Sequence, residues 1–376
     1  MMTLILKGTD GCNLRCAYCS LGEKGVPNII TEQTMVDALL YASRVCLARG
    51  HNELTVILHG GEPTLVPSKI YEAAFLAVNT QFPEISLHLS MQTNGYRISE
   101  EYLSFLANWH IRVGVSIDGL QAVHDLERRD IQGRETYQAV IQNIQRMQDA
   151  DIPVSCLMVL TSAALDAPLD YLDEFDKKHL HLKINPLLNY GEAIYNPQLY
   201  LREGDYARYL IRVYQYLLDH ELQGIISPLD SLLEAVFHKG RMRECTFSPD
   251  CSQRYLCIDH TGTIYPCGRL SDIHQFSLGN ITEGETDLAE LPELKALINR
   301  KSCALPQSCR ECQYLSFCNA GCSAEAVIEG GLSQVPKLCA DYKILFRYFT
   351  GDGLRLLRQH LCDHREKLIE RIGYAV

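Results

Sequence analysis

Three cysteines within eight positions, Cys12, Cys16 and Cys19, follow directly on an apolar run, Thr3-Leu-Ile-Leu-Lys7, and they constrain this chain more than any other stretch. The run reads as a buried strand that delivers the cysteine loop at its carboxyl end. Thiols so close together point to metal. The spacing Cys-x3-Cys-x2-Cys is open to a zinc knuckle, to three unrelated thiols, and to an iron–sulfur cluster. A [4Fe–4S] cluster usually takes four thiolates. Three from one loop would leave one iron open to an exchangeable ligand, the logic that separates catalytic from closed metal sites.

Composition narrows the choice. With 376 residues, 47% of them hydrophobic, the chain can bury a substantial core, and its length suggests two or three domains. The formal charge is −11 and the basic residues are dispersed, so no polybasic stripe exists to neutralise nucleic-acid phosphates. The first residues show no charged leader followed by a long apolar segment, and no apolar stretch is long enough to span a bilayer. The expectation is a cytoplasmic protein with neither nucleic acid nor membrane as partner. In a reducing compartment its 16 cysteines are not expected to form disulfides, which again favours metal.

Strand and helix patterns alternate through the first half of the chain. An amphipathic pattern runs from Thr31, a plausible N-cap, to about Arg49. A β-rich run, Leu54 to His59, ends in Gly60-Gly61-Glu62-Pro63, and a helix covers Ser68 to Gln81. A strand from Ser86 to Met91 stops at Gln92-Thr93-Asn94-Gly95, and a helix spans Ser99 to Asn108. The strand Ile111 to Ile117 leads into Asp118-Gly119. Then come a helix over Glu135 to Ala150, a strand over Pro153 to Leu160, a helix near Ala167 to Lys177, and a strand over Leu180 to Asn185. Strand-then-helix units of this length imply a parallel sheet with right-handed crossovers, whose polar loops gather at the carboxyl ends of the strands. Cysteines, Gly-Gly-Glu-Pro, Gln-Thr-Asn-Gly and Ser116-Ile-Asp118-Gly therefore converge on one rim.

The cysteine run, with the aromatic Tyr18 before the last cysteine, resembles the signature of radical S-adenosylmethionine (SAM) enzymes, and the order of the four loops fits that family. The resemblance covers roughly residues 3 to 190. It implies an α/β fold, a partial (β/α)6 TIM-like barrel over residues 1–190, with SAM chelated by the open iron of a cluster on Cys12, Cys16 and Cys19. By the same resemblance, Gly60, Gly61 and Glu62 would meet the SAM amino group, Ser116 the ribose, and Arg128 the SAM carboxylate. Gln92, Asn94 and Asp118 are weaker candidates near the cofactor, and Leu160 would border the adenine. His59 could face the cofactor or be merely packed. Residues 191–240 read as a helical bridge, with amphipathic runs over Tyr206 to His220 and Leu229 to His238; tyrosines 206, 209, 214 and 216 look like packing on a helix face.

The last third, residues 241–376, carries the remaining ordered cysteines. Cys245 and Cys251 precede Asp259 to Cys267, which reads as a hairpin. Cys309-x2-Cys312-x5-Cys318-x3-Cys322 and Cys339 complete a pattern that resembles the SPASM extension of radical SAM proteins. The arrangement in sulfatase-maturing relatives implies one auxiliary cluster on Cys245, Cys251, Cys267 and Cys322 and another on Cys309, Cys312, Cys318 and Cys339, for three [4Fe–4S] clusters in all. Cys46, Cys156, Cys257, Cys303 and Cys362 are left over, with Cys257 and Cys303 the candidates to replace an assigned ligand.

The family's chemistry is removal of a hydrogen atom from an unactivated C–H bond by a 5′-deoxyadenosyl radical. SPASM members act on peptides or proteins. In sulfatase-maturing relatives an aspartate directly after the hairpin cysteine is the base; here Gly268 stands there. That departure ranks an intramolecular crosslink of a ribosomally made precursor peptide first, a C–C cyclophane ahead of thioether or ether, and formylglycine formation second. A non-catalytic iron–sulfur carrier is the reading from another class. Asp118, Asp259 and Asp272 are unranked candidates for a base. With Cys12 so near the start, an added N-terminal recognition domain is not expected, so the precursor would bind the barrel mouth, the bridge or a separate recognition protein. Reducing equivalents would come from an external donor of the flavodoxin or ferredoxin type.

Overall fold

The strand β1 (Met2–Lys7) buries Met2, Leu4 and Leu6 completely on one face and turns Thr3, Ile5 and Lys7 to the other. Each fully buried leucine contributes about 1.5–3 kcal/mol through apolar area removed from water, which fixes the register of the strand against its helices. The computed structural model describes residues 1–22, 27–238, 240–283 and 287–373, and side chains up to residue 362. Lys239, within the expected bridge, lies outside the described residues.

In chain order β1 is followed by β2 (Leu14–Cys16), α1 (Glu32–Ala48), β3 (Glu53–His59), α2 (Ser68–Gln81), β4 (Ser86–Thr93), α3 (Glu100–Asn108) and β5 (Arg112–Ser116). Then come α4 (Gln121–Glu127), β6 (Arg128–Asp130), α5 (Tyr137–Asp149), β7 (Val154–Leu160), α6 (Tyr171–Lys177) and β8 (His181–Pro186). The bridge supplies α7 (Asp205–Asp219), β9 (Ile226–Ser227) and α8 (Leu229–Phe237). The cysteine-rich third supplies α9 (Cys251–Arg254), β10 (Tyr255–Ile258), β11 (Ile264–Tyr265), α10 (Gly268–Asp272), α11 (Pro292–Lys301), α12 (Gln307–Arg310), α13 (Leu315–Cys318), α14 (Ser323–Ile328), α15 (Cys339–Thr350) and α16 (Asp352–Gly373).

The main sheet runs β11-β10-β1-β3-β4-β5-β7-β8-β9, with every neighbouring pair parallel except β10 with β11. Its centre is the expected succession of six strands in sequence order, the wall of a partial (β/α)6 barrel. The helix starts follow the sequence: the Thr31 hydroxyl accepts from Thr34 N–H, and the Ser99 hydroxyl from Tyr102 N–H. Helix α6 starts at Tyr171 rather than near Ala167, because Pro168 holds the residue before it out of helical geometry. The bridge tyrosines pack as expected: Tyr206 donates to Ile184 O at 2.9 Å, Tyr214 to Gly353 O at 2.9 Å, and Tyr209 pairs with Tyr171 at 2.8 Å.

Two departures matter for the site. The hairpin of β10 and β11 is not set apart from the barrel, because β10 pairs with β1 through Thr3 to Leu6 and extends the sheet. Helix α4 and a two-stranded ribbon were not foreseen. In the ribbon, β2 of the cysteine loop pairs antiparallel with β6, setting Cys16 opposite Arg128.

Candidate functional site

Gly60 and Gly61 carry the cysteine loop on their backbone. The N–H of Gly61 donates to Thr9 O and that of Glu62 to Gly11 O, both at 2.8 Å. A Cβ on Gly61 would stand 1.9 Å from Gly11 O, and Gly60, at φ +127°, would place one 2.4 Å from Thr9 O. Only glycine permits this approach. Glu62 is buried and fully committed within the protein: Oε1 accepts from Thr64 N–H at 3.1 Å, the Thr64 hydroxyl at 2.8 Å and the Thr93 hydroxyl at 2.7 Å, and Oε2 from Asn94 N–H at 2.8 Å. Burial raises its pKa against these four donors. The Asn94 amide in turn donates to Asn13 Oδ1 at 2.7 Å and faces Cys12 Sγ at 3.6 Å, while Leu14 N–H donates to the same sulfur at 3.4 Å. Donors aimed at a cysteine sulfur suit a cluster thiolate.

Across the mouth, the Asp118 carboxylate gathers the cysteine loop, β6 and β7. Its Oδ2 accepts from Arg128 Nε at 2.7 Å and from the Tyr18 hydroxyl, and its Oδ1 accepts from Val159 N–H at 3.0 Å. The guanidinium lies over the Tyr18 ring, 5.2 Å from its centroid, and Nη1 faces Cys16 Sγ at 3.9 Å. Glu127 is buried beside this group, donated to by the Thr161 hydroxyl at 2.5 Å; burial, then Asp118, push its carboxyl up to about 8. Gln92 Nε2 donates to Ser116 Oγ at 3.1 Å on the inner face of the sheet, in space left by Gly114. Leu160 is fully buried and alternates with Cys156 and Met158 on the helix-facing side, so its side chain does not line the mouth. His59 accepts from Gly60 N–H on Nδ1 at 2.8 Å, and burial, then Lys7, lower it to about 4, which keeps the ring neutral.

The eight expected cysteines gather in two groups of four. Burial raises the thiol of Cys267, and Cys322, Cys251 and Cys245 act on it as neighbouring charges. Burial, offset by Lys301, pushes Cys251 up to about 11, with Cys322 and Cys245 again its acidic neighbours. Cys309, Cys312, Cys318 and Cys339 line one largely apolar cavity with Tyr314, Tyr342 and Phe346. Four thiols facing one space have the donor chemistry of an iron–sulfur cluster rather than of a packed core. Among the described residues no three potential ligands converge tightly enough for a single ion; thiols around a multi-iron cluster stand further apart. Cys257 sits instead beside Lys7 and Ser271, and Cys303 is exposed with its thiol toward Asn299.

Between Cys318 and Cys322 the chain runs through Asn319, Ala320 and Gly321, all at positive φ, 47°, 60° and 67°. Two buried cations of α11 hold the carbonyls of this run. Arg300 Nη1 donates to Ala320 O at 3.1 Å, and Lys301 donates to Asn319 O at 3.1 Å and to Gly321 O. Holding three left-handed residues in succession takes such support.

Sequence reading also missed a cluster inside the barrel. Lys7, the last residue of β1, is buried and forms an ion pair with Asp272 Oδ1, while donating to Gly268 O at 2.8 Å. The Tyr190 hydroxyl approaches Asp272 Oδ2 at 3.5 Å and also bonds to the side chain of Ser20, next to Cys19. Arg269 Nη1 donates to Glu325 Oε1 at 2.6 Å and faces Cys322 Sγ at 3.5 Å. A charged residue closing an apolar strand was the one available signal for Lys7; its partner lies 265 positions away.

A parallel partial barrel with three cysteines on the loop after its first strand, joined to eight more in two groups, defines a radical SAM enzyme with a SPASM domain. Residues 6–166 match the Radical SAM superfamily and residues 245–313 the SPASM iron–sulfur cluster-binding domain. The chain is similar to anaerobic sulfatase-maturating enzymes. It is 26% identical to the cysteine-type enzyme of Clostridium perfringens over 358 residues, covering 92% of this chain and 95% of that one. It is 22% identical to the serine-type enzyme of Klebsiella pneumoniae, over 90% of this chain and 84% of that one. In fold it is similar to native anSMEcpe with bound AdoMet, with a TM-score of 0.80 at 23% identity over 95% of this chain and 98% of that one. It is also similar to Streptococcus suis SuiB bound to precursor peptide SuiA, with a TM-score of 0.66 at 15% identity over 89% and 75%. No helix among the described residues is long and apolar enough to cross a membrane.

Proposed function

We propose that this enzyme is a peptide maturase that oxidises the β-carbon of a cysteine or serine residue in a protein substrate to formylglycine. The observation that carries the reading is likeness over nearly the whole chain to enzymes named for that activity, of both the cysteine and the serine type. Held by Cys12, Cys16 and Cys19, a [4Fe–4S] cluster with SAM supplies hydrogen-atom abstraction from an unactivated C–H bond. Arg128 would face the SAM carboxylate, Ser116 and Gln92 the ribose, and the backbone of Gly60 to Glu62 the amino group, whose bonds to the cysteine loop also fix where the cofactor sits. The eight remaining cysteines would hold two auxiliary clusters in the pairing above.

Gly268 leaves a second reading in play, a crosslink within a precursor peptide, since no carboxylate follows Cys267 directly. Asp272 weakens that objection: its carboxylate stands one helical turn further on α10, on the inner face of the barrel. Anaerobically reconstituted protein, SAM and dithionite are incubated with peptides containing Cys-x-Pro-x-Arg or Ser-x-Pro-x-Arg. The expected product is an aldehyde trapped by a hydrazide and seen by mass spectrometry. 5′-Deoxyadenosine without any aldehyde overturns the reading. Loss of two hydrogens from a precursor peptide, with no aldehyde, installs the crosslink in its place.

A further inference from the structure

Oxidation of a carbon-centred radical to a double bond releases one electron and one proton, and the proton needs an acceptor beside the substrate. The carboxylates at the barrel mouth differ in what they have to offer. Glu62 takes four protein donors and Asp118 three, so both are occupied. Glu325 gives Oε1 to Arg269 at 2.6 Å, and its Oε2, though unpartnered among the described residues, is sealed in a side chain only 3% exposed, against 11% for Asp272. His59 is neutral and its Nδ1 lone pair is taken by Gly60 N–H. Asp272 is different. Lys7 holds Oδ1, and Oδ2 has the Tyr190 hydroxyl at 3.5 Å, a long and weak contact, leaving lone pairs available.

Its location fits the task. Tyr190 bridges Asp272 to Ser20, the residue after Cys19, and α10 starts at Gly268, the residue after Cys267. Asp272 therefore stands between the N-terminal cysteine loop and the first C-terminal group of cysteines. A Cβ on Gly268 would lie 3.9 Å from Lys7 Cε, in ordinary contact. Positions 268 and 272 are one helical turn apart and address the same ammonium.

We propose that Asp272, oriented by Lys7 and Tyr190, is the catalytic residue that accepts the substrate's proton, and that Lys7 can serve a carboxylate at either 268 or 272. The inference rests on the peptide-maturase reading. Once a hydrogen atom has left the β-carbon, the S–H or O–H bond of that residue breaks. Its proton goes to Asp272 Oδ2, one electron goes to an acceptor of the iron–sulfur class, and a C=S or C=O bond forms. Water then replaces sulfur in the thioaldehyde, releasing hydrogen sulfide. Lys7 is a positioning residue: it holds Oδ1 and so leaves Oδ2 to the substrate.

Two measurements test this. In the unloaded protein, Lys7 is acylated with an N-hydroxysuccinimide ester and read by peptide mass spectrometry. Burial lowers the affinity of Lys7 for its proton, and Asp272 is the largest of the groups that raise it, ahead of Cys257 and Cys267, so with the ion pair removed Asp272→Asn should label several-fold faster; equal rates overturn the pairing. In the reconstituted enzyme, the ratio of modified peptide to 5′-deoxyadenosine should fall about a hundredfold in Asp272→Asn, the scale of a lost general base. The double variant Gly268→Asp/Asp272→Asn should recover most of that ratio, at an unfolding midpoint within a few degrees of the parent. An unchanged ratio in Asp272→Asn, or a folded double variant no better than the single one, overturns the assignment. If the parent turns over no peptide, the proposed function fails, and the labelling rates still decide the pair.

Discussion

The Nε–H of Arg128 meets Oδ2 of Asp118 at 2.7 Å in a pair whose side chains are 7% and 0% exposed. Attraction in so dry a place is strong, but so is the cost of leaving the guanidinium alone. Asp118→Asn keeps the shape and removes the charge. It should lower unfolding free energy in urea by about 3 to 5 kcal/mol, the range for breaking a buried pair, and should weaken SAM binding measured by calorimetry. A midpoint equal to the parent's would show that Arg128 finds its stabilisation elsewhere.

Glu127 makes stability depend on pH in an unusual direction. Its carboxyl titrates at about 8 in the folded protein against 4.5 ordinarily, because burial disfavours the charge. Between those values the folded state holds a proton that the unfolded state has released, so this group's contribution falls as pH rises, by up to about 1.4 kcal/mol per unit. Glu127→Gln, neutral throughout, should match the parent near pH 4.5 and exceed it progressively toward pH 8 in urea titrations. A constant difference across that range would contradict the buried, protonated state.

Gly61→Ala pushes a methyl group into Gly11 O, at 1.9 Å. Either the loop or the strand end must move, and Cys12 moves with the loop. Iron bound by the N-terminal site should drop severely while the C-terminal sites stay filled, as read by iron analysis of a variant that also lacks the eight C-terminal thiols against one that retains them. Retention of full iron at Cys12, Cys16 and Cys19 would mean that the loop adapts.

Most of the barrel was readable because its signals are local. Helix α2 occupies Ser68–Gln81, the span its pattern indicates, and β1, β3 and β8 sit within one or two residues of their apolar runs. The grouping of the C-terminal cysteines was implied by the family resemblance and not by spacing alone. What escaped was long-range: Lys7 with Asp272, Arg269 with Glu325, and β10 against β1 join segments that no periodicity connects. Leu160 illustrates the limit of transferring a role by position, since strand alternation, not strand membership, decides which side chains face the mouth.

Lys301 and Arg300 offer a direct check on the C-terminal third. Lys301→Met leaves three buried carbonyls, those of Thr246, Asn319 and Gly321, short of a donor, at about 1 to 3 kcal/mol for each unsatisfied group. The expected outcome is a lower unfolding midpoint and iron loss confined to the C-terminal groups. Cys303→Ser, by contrast, touches an exposed thiol outside both groups and should leave iron content unchanged; a loss would assign it as a ligand.

The pairing of Thr3 to Leu6 with Tyr255 to Ile258 makes the C-terminal hairpin a stave of the barrel rather than an attachment to it. Hydrogen-bonded backbone then fixes how far the N-terminal cysteine loop stands from Cys267, with no swinging arm between them. The same stave shields the outer margin of the first strand. A fragment cut before it would offer Thr3-Leu4-Ile5 to any strand that drifted past, and would be expected to clump rather than to survive as an independent half-enzyme.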